Sequence, residues 1–193
     1  MRAIGIREYG GLDCVRLIEV DDPLAGPGEV VVDVRSAALN HLDVWVRTGR
    51  PGPDLPMPHV LGSDGAGVIA AVGHGVSGSR VGEEVVIAPG LSCRQCAACR
   101  RGEHSECDSF GTIGANRPGT FAERVAIPAY AAHPKPRALS FDQAAALPVA
   151  YLTAWRMLVT RAKLLPGESV LVHGIGGGVA LAALQIAELI GAR

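Results

Sequence analysis

Cys93-Arg94-Gln95-Cys96-Ala97-Ala98-Cys99-Arg100-Arg101-Gly102-Glu103-His104-Ser105-Glu106-Cys107 places four thiols within 15 residues. Zinc takes four soft ligands in a tetrahedron, and a loop this short can supply all of them. Arg94, Arg100 and Arg101 would offset part of the negative charge of a zinc tetrathiolate. Four protein ligands close the coordination shell, so the ion expected here is structural, one per chain, with no position for substrate. An iron–sulfur site also uses Cys-x2-Cys-x2-Cys, but with the next cysteine closer and followed by proline. Here Cys107 comes eight positions after Cys99 and Asp108 follows it. The fifth cysteine, Cys14, stands alone and reads as a small buried hydrophobe. An odd cysteine count without a secretion signal argues against a disulfide scaffold.

The rest of the composition narrows the class. The chain has 193 residues, long for one small domain and short for two. Its 18 Lys+Arg against 19 Asp+Glu leave a net charge of −1, no electrostatic footprint for nucleic acid or an acidic membrane. Hydrophobic residues at 48% exclude a disordered chain. With 25 glycines and only 4% aromatics, the core must be aliphatic and the turns tight. No apolar run precedes Glu8, so no signal peptide is expected and the location reads as cytoplasmic. Ser169–Ala187 is the longest stretch without charge, but Gly174, Gly176, Gly177 and Gly178 break it, and a membrane span is not expected.

Working outward, the chain before about residue 139 reads as short strands with Gly/Pro punctuation. Strands are expected at Ala3–Arg7, Val15–Val20, Glu29–Ala37, Asp64–Val72, Val85–Ala88 and Phe121–Ile127, with one or two helical turns at His41–Arg47. In Glu29–Ala37, Val30, Val32 and Val34 share one face. Ser140 with Gln143 is a capping box opening a helix over 141–147, which Pro148 interrupts. A longer helix is expected from Tyr151 to Ala162. Pro166-Gly167 then turns into a strand at Ser169–His173, and an apolar helix follows over 179–190. The order is a β-rich domain, connecting helices, and a β–turn–α unit.

Between that last strand and helix lies His173-Gly174-Ile175-Gly176-Gly177-Gly178-Val179-Ala180. Glycines at such a turn let backbone N–H groups approach a pyrophosphate at the helix N-terminus. Gly174 and Gly176 fill the first two positions of G-x-G-x-x-G, while the third falls on Val179, one past Gly178. A tight βα turn without a ligand has the same appearance.

Together these features resemble the medium-chain dehydrogenase/reductase superfamily, over the whole chain. The four cysteines match its structural-zinc lobe. Pro58 to Ile69 is similar to its P-x-x-x-G-H-E-x-x-G-x-V segment, and Ala144 to Trp155 to its interdomain helix start. The glycine turn is similar to its G-x-G-x-G-V-G, with Ala180 in place of the last glycine. The resemblance implies a mainly β GroES-like barrel with flanking helices and a zinc lobe, plus the first βα unit of a Rossmann α/β domain. The implied division is 1–148, with the lobe at 91–108, and 149–193 as connecting helix and an incomplete dinucleotide-binding domain. The acidic residue that would read the ribose falls beyond Arg193.

The departures from the pattern bear on chemistry. In the zinc alcohol dehydrogenases of this superfamily a second, catalytic zinc is held by Cys, His and Cys. By position these fall on Asn40, Ser63 and Val149, none of which is a competent ligand. His41 and His59 read as ordinary histidines. Asn40 to Arg47 instead resembles the N-x-x-D-x-Y-x-R stretch of the quinone oxidoreductase branch, with Trp45 replacing Tyr. The resemblance makes Asn40 a hydrogen-bonding group toward substrate and Trp45 a pocket wall. It sets Thr153 near the nicotinamide, with Gly174, Gly176, Gly177, Gly178 and Val179 at the cofactor phosphates. Asn40 could equally cap the short helix, and Trp45 could be core. Asp43 and Arg47, at i and i+4, are expected to pair with each other, and Asp64 to order its local turn.

The implied activity is NAD(P)H-dependent hydride transfer to an activated C=C or C=O, with structural zinc, no catalytic zinc, and either NAD or NADP as cofactor. The implied partners are a small-molecule substrate and, in a full-length form, further copies of the same chain, with no nucleic acid and no membrane. Two other readings stand beside it: a zinc-dependent alcohol dehydrogenase, and a non-catalytic zinc-stabilised binding or scaffold module. The 193-residue chain alone is expected to be inactive.

Overall fold

The longest strand, Glu29–Ala38, holds the largest sheet together. It is a run of β-branched residues in which Val30 and Val32 are fully buried on one face. The computed structural model describes residues 1–50 and 55–193. In chain order the strands are β1 (Arg2–Ile6), β2 (Arg16–Glu19), β3 (Glu29–Ala38), β4 (His59–Val60), β5 (Asp64–Val72), β6 (Glu84–Ile87), β7 (Gly90–Leu91), β8 (Gly111–Thr112), β9 (Arg124–Pro128) and β10 (Ala132–Pro134). The α-helices are α1 (His41–Arg47), α2 (Ala97–Arg100), α3 (Phe141–Ala145), α4 (Pro148–Trp155) and α5 (Gly178–Ile190).

The chain divides into two compact units, Met1–Ala146 and Leu147–Arg193. In the first, an antiparallel five-stranded sheet runs β10-β6-β5-β3-β9, beside a three-stranded sheet β2-β1-β4 and the small ribbon β7-β8. Val30, Val32, Ile69, Val85, Ile87, Val125 and Ile127 fill its main core, aliphatic as the low aromatic content requires. The β3–β5 ladder shifts register between Val31 and Val32 and again between Val34 and Ser36, and ends with Ala38 opposite Asp64. Gly62, just before β5, has φ +98°, and a side chain there would run into the Phe121 ring.

The second unit is helical. Pro148 opens α4 at its first turn, where a missing N–H costs nothing. The helix expected over Tyr151–Ala162 is thus α4 followed by a π-helical segment at Arg156–Arg161. Ala154, Leu158, Ala182, Ala183, Ile186 and Ala187 pack α4, that segment and α5 together, and the Tyr151 hydroxyl donates to Gln185 Oε1.

Several expectations need correction. The capping box at Ser140 is present, but its helix ends at Ala145 because Pro148 begins a new one. Ser169–His173 is not a strand. No other strand lies beside it among the described residues, and its backbone is met only where Val170 N–H donates to Arg193 O, next to Arg193 N–H on Glu168 O. Without a neighbour's ladder a β-prone run stays extended but unpaired. Cys14 is half-buried against the Ile6–Val46–Leu61 cluster rather than fully inside, and its thiol donates to Gly11 O at 2.9 Å.

Candidate functional site

The β7–β8 pair, Gly90 opposite Thr112 and Leu91 opposite Gly111, closes a stem from which residues 92–110 loop out. Within the loop Cys96 caps α2, which carries Cys99, and a 3-10 turn at His104–Glu106 delivers Cys107. Arg94 takes φ +59° to make the bend between Cys93 and Cys96. The four sulfurs lie within 4.8 Å of one another, and those of Cys93 and Cys99 are 4.0 Å apart. A tetrahedron with metal–sulfur bonds of about 2.3 Å sets its sulfurs roughly 3.8 Å apart, so the cluster fits a zinc ion.

Backbone N–H groups point at the same sulfurs: Cys96 N to Cys93 Sγ and Cys93 N to Cys107 Sγ at 3.3 Å, and Cys99 N to Cys96 Sγ at 3.5 Å. Such donors stabilise thiolates. His104, hydrogen-bonded to Cys99, holds that thiol down to about 6. Cys93 N–H pulls on Cys107, but burial and the neighbouring Cys93 and Cys99 thiols outweigh it and push Cys107 up to about 11. Four crowded sulfurs cannot all ionise unaided; a divalent cation removes that conflict. Among the described residues this is the only cluster of three or more His, Cys, Asp or Glu side chains able to hold a metal.

A second polar cluster surrounds Asn40. Because β3 and β5 end with Ala38 facing Asp64, Asn40 lies just past the ladder, and its Nδ2 donates to Asp64 Oδ2 at 2.9 Å. Asn40 is also the N-cap of α1, its backbone N–H donating to Asp43 Oδ2 at 2.7 Å. Asp64 is fully buried, and its carbonyl accepts the hydroxyl of buried Thr120 at 2.7 Å. Burial pushes the Asp43 carboxyl up, against the pull of the Asn40 and Gly62 N–H groups. Asp43 Oδ1 and Ser63 Oγ are buried with no hydrogen-bond partner.

The expected Asp43–Arg47 pair is not formed. Asp43 faces inward, while the Arg47 guanidinium donates to Gly10 O at 2.7 Å. Asp64 does more than order its turn: its side chain also holds the Asn40 amide. Trp45 is half-exposed, edge-on to His41 at 5.2 Å, and is not a core residue. His59 is buried, with Nε2 donating to Gly114 O at 2.9 Å; desolvation holds its pKa below the ordinary value.

The donor chemistry of Asn40, Ser63 and Val149 does not suit a catalytic zinc. The Asn40 amide nitrogen is committed to Asp64, Ser63 offers a buried neutral hydroxyl, and valine offers no donor.

In the second unit Gly174 takes φ +70°, its carbonyl accepts from Gly177 N at 2.9 Å, and α5 begins at Gly178 with Gly177 as N-cap. Gly174 and Gly176 face open space where a Cβ would stand, so backbone can be approached there. Open glycine backbone ahead of a helix N-terminus is the kind of element that can receive a phosphate group. Val179 is half-buried in α5, and Thr153 is exposed on α4.

Residues 26–137 match the alcohol dehydrogenase GroES-like domain. The chain belongs to that family, and with it to the medium-chain dehydrogenase/reductase superfamily; its mainly β first unit is the GroES-like fold. It is 34% identical over 192 residues to the synaptic vesicle membrane protein VAT-1 homolog of Rattus norvegicus, covering 98% of this chain and 41% of that protein. It is also 34% identical over 194 residues to the quinone oxidoreductase of Rattus norvegicus, covering 100% of this chain and 51% of that one. The solved structure of an NAD-dependent alcohol dehydrogenase superposes with TM-score 0.96 at 51% identity, covering 100% of this chain and 56% of its own. The chain thus spans about half the length of the relatives it matches. No helix among the described residues is long and apolar enough to cross a membrane.

Proposed function

We propose that this chain is the substrate-side part of an NAD(P)H-dependent oxidoreductase that reduces an activated C=C or C=O bond, with one structural zinc and no catalytic zinc. The observation that carries this reading is the pairing of Asn40 with Asp64 where a zinc-dependent enzyme needs metal ligands. Cys93, Cys96, Cys99 and Cys107 would hold the zinc, whose closed shell stiffens the lobe and takes no part in the reaction. NAD or NADP, when bound, supplies the hydride. Gly174, Gly176, Gly177, Gly178 and Val179 would seat its phosphates on backbone N–H groups, with Thr153 toward the nicotinamide. Asn40 would hydrogen-bond the polar end of a small-molecule substrate, and Trp45 would form an apolar wall that keeps water from it.

A zinc-dependent alcohol dehydrogenase is disfavoured by the donor chemistry at Asn40 and Ser63. The working form, in this reading, is cytoplasmic and oligomeric, with no nucleic-acid or membrane partner. The test joins this chain to the C-terminal half of the similar NAD-dependent alcohol dehydrogenase and follows NAD(P)H absorbance with cyclohex-2-enone. Oxidation of the cofactor by the chimera, and none by the chain alone, is expected. Turnover of a primary alcohol that depends on added zinc would overturn the reading.

A further inference from the structure

We infer that Asp64 is a positioning residue that locks the side chain of Asn40 in one of its two amide orientations, with the nitrogen toward Asp64 and Oδ1 turned away from it. The inference rests on the reading above, in which Asn40 meets the substrate. Asn40 Nδ2 and Asp64 Oδ2 are 2.9 Å apart. In this bond the amide nitrogen donates and the carboxyl oxygen accepts, so the nitrogen, not Oδ1, faces Asp64. In a planar amide Oδ1 then points away from Asp64, toward the first turn of α1, whose capping box Asn40 forms with Asp43.

Both partners are themselves held. Asp64 begins β5, opposite Ala38 of β3, and its carbonyl accepts the Thr120 hydroxyl at 2.7 Å. The Asn40 backbone is fixed by Asp43 Oδ2, which accepts its N–H at 2.7 Å. Asn40 therefore links two buried carboxylates, one through its backbone and one through its side chain, while remaining half-exposed itself. A free asparagine amide samples both orientations; in this one Oδ1 and the second N–H have a fixed arrangement. Preorganisation of this kind lowers the entropy lost when a ligand binds.

The test is side-chain NMR on the 193-residue chain, wild type against Asp64→Asn and Asp64→Ala, with circular dichroism as a check on folding. The two Asn40 Nδ2 protons should be well separated in the wild type and collapse toward free-amide values in Asp64→Ala. Asp64→Asn, which keeps an acceptor oxygen but loses the charge, should fall between. Cyclohex-2-enone, titrated as the probe, should perturb the Asn40 signal and bind roughly three- to ten-fold more weakly to Asp64→Ala. Asn40 signals identical in all three folded proteins would overturn the inference and leave the substrate reading standing. Signals that respond to Asp64 but never to the enone would overturn the substrate-facing reading of Asn40, and the positioning role with it.

Discussion

The Tyr130 hydroxyl grips both backbone groups of Ser92, accepting from its N–H at 3.2 Å and donating to its carbonyl at 3.0 Å. The same ring lies under the Arg94 guanidinium, 4.7 Å from its centroid. Ser92 and Arg94 flank Cys93, so one tyrosine beside the main core fixes the entry to the cysteine lobe. Tyr130→Phe removes two hydrogen bonds but keeps the ring. It should lower stability by about 1–2 kcal/mol and speed zinc loss to a chromophoric chelator several-fold. Unchanged release kinetics would show that the lobe holds itself.

Buried His59 gives the chain a pH dependence. Its folded pKa lies below the unfolded value because desolvation disfavours the charged form. The folded state therefore binds this proton less readily than the unfolded one. Stability from this site is fully present above the ordinary histidine pKa of about 6.5 and is lost as pH falls toward the folded value. His59→Gln keeps a donor for Gly114 O without titrating. Urea unfolding at a series of pH values should show a decline below about 6.5 that is shallower in the variant.

Gly62 precedes Ser63 and Asp64 with φ +98°, against the Phe121 ring. Gly62→Ala combines an unfavourable backbone with a steric collision, and about 2 kcal/mol or more of stability should be lost. A chain as stable as wild type in denaturant would contradict the strained turn. At the other end of the first unit, Ser140→Ala breaks one half of a reciprocal cap and should cost about 1 kcal/mol.

Local spacing was legible wherever one stretch of chain decides its own geometry. The four cysteines, the Ser140–Gln143 box, the helix at His41–Arg47 and the inward valines of β3 are of this kind. Contacts between distant stretches were not legible. Asn40 meets Asp64 only because β3 and β5 are in a register that two shifts adjust, and no spacing rule announces those shifts. The i, i+4 spacing of Asp43 and Arg47 suggested a pair, yet Arg47 has the Gly10 carbonyl within reach and Asp43 the Asn40 backbone N–H. Ser169–His173 carries the composition of a strand, but a strand is made by its neighbour.

Metal content tests the central claim most directly. After extensive dialysis, elemental mass spectrometry of the purified chain should find one zinc per chain, and none once Cys99 and Cys107 are replaced by serine. Asn40→Ala and Ser63→Ala should leave that number at one. Two zinc ions per chain, with one lost in either of those variants, would contradict the assignment of a single structural metal.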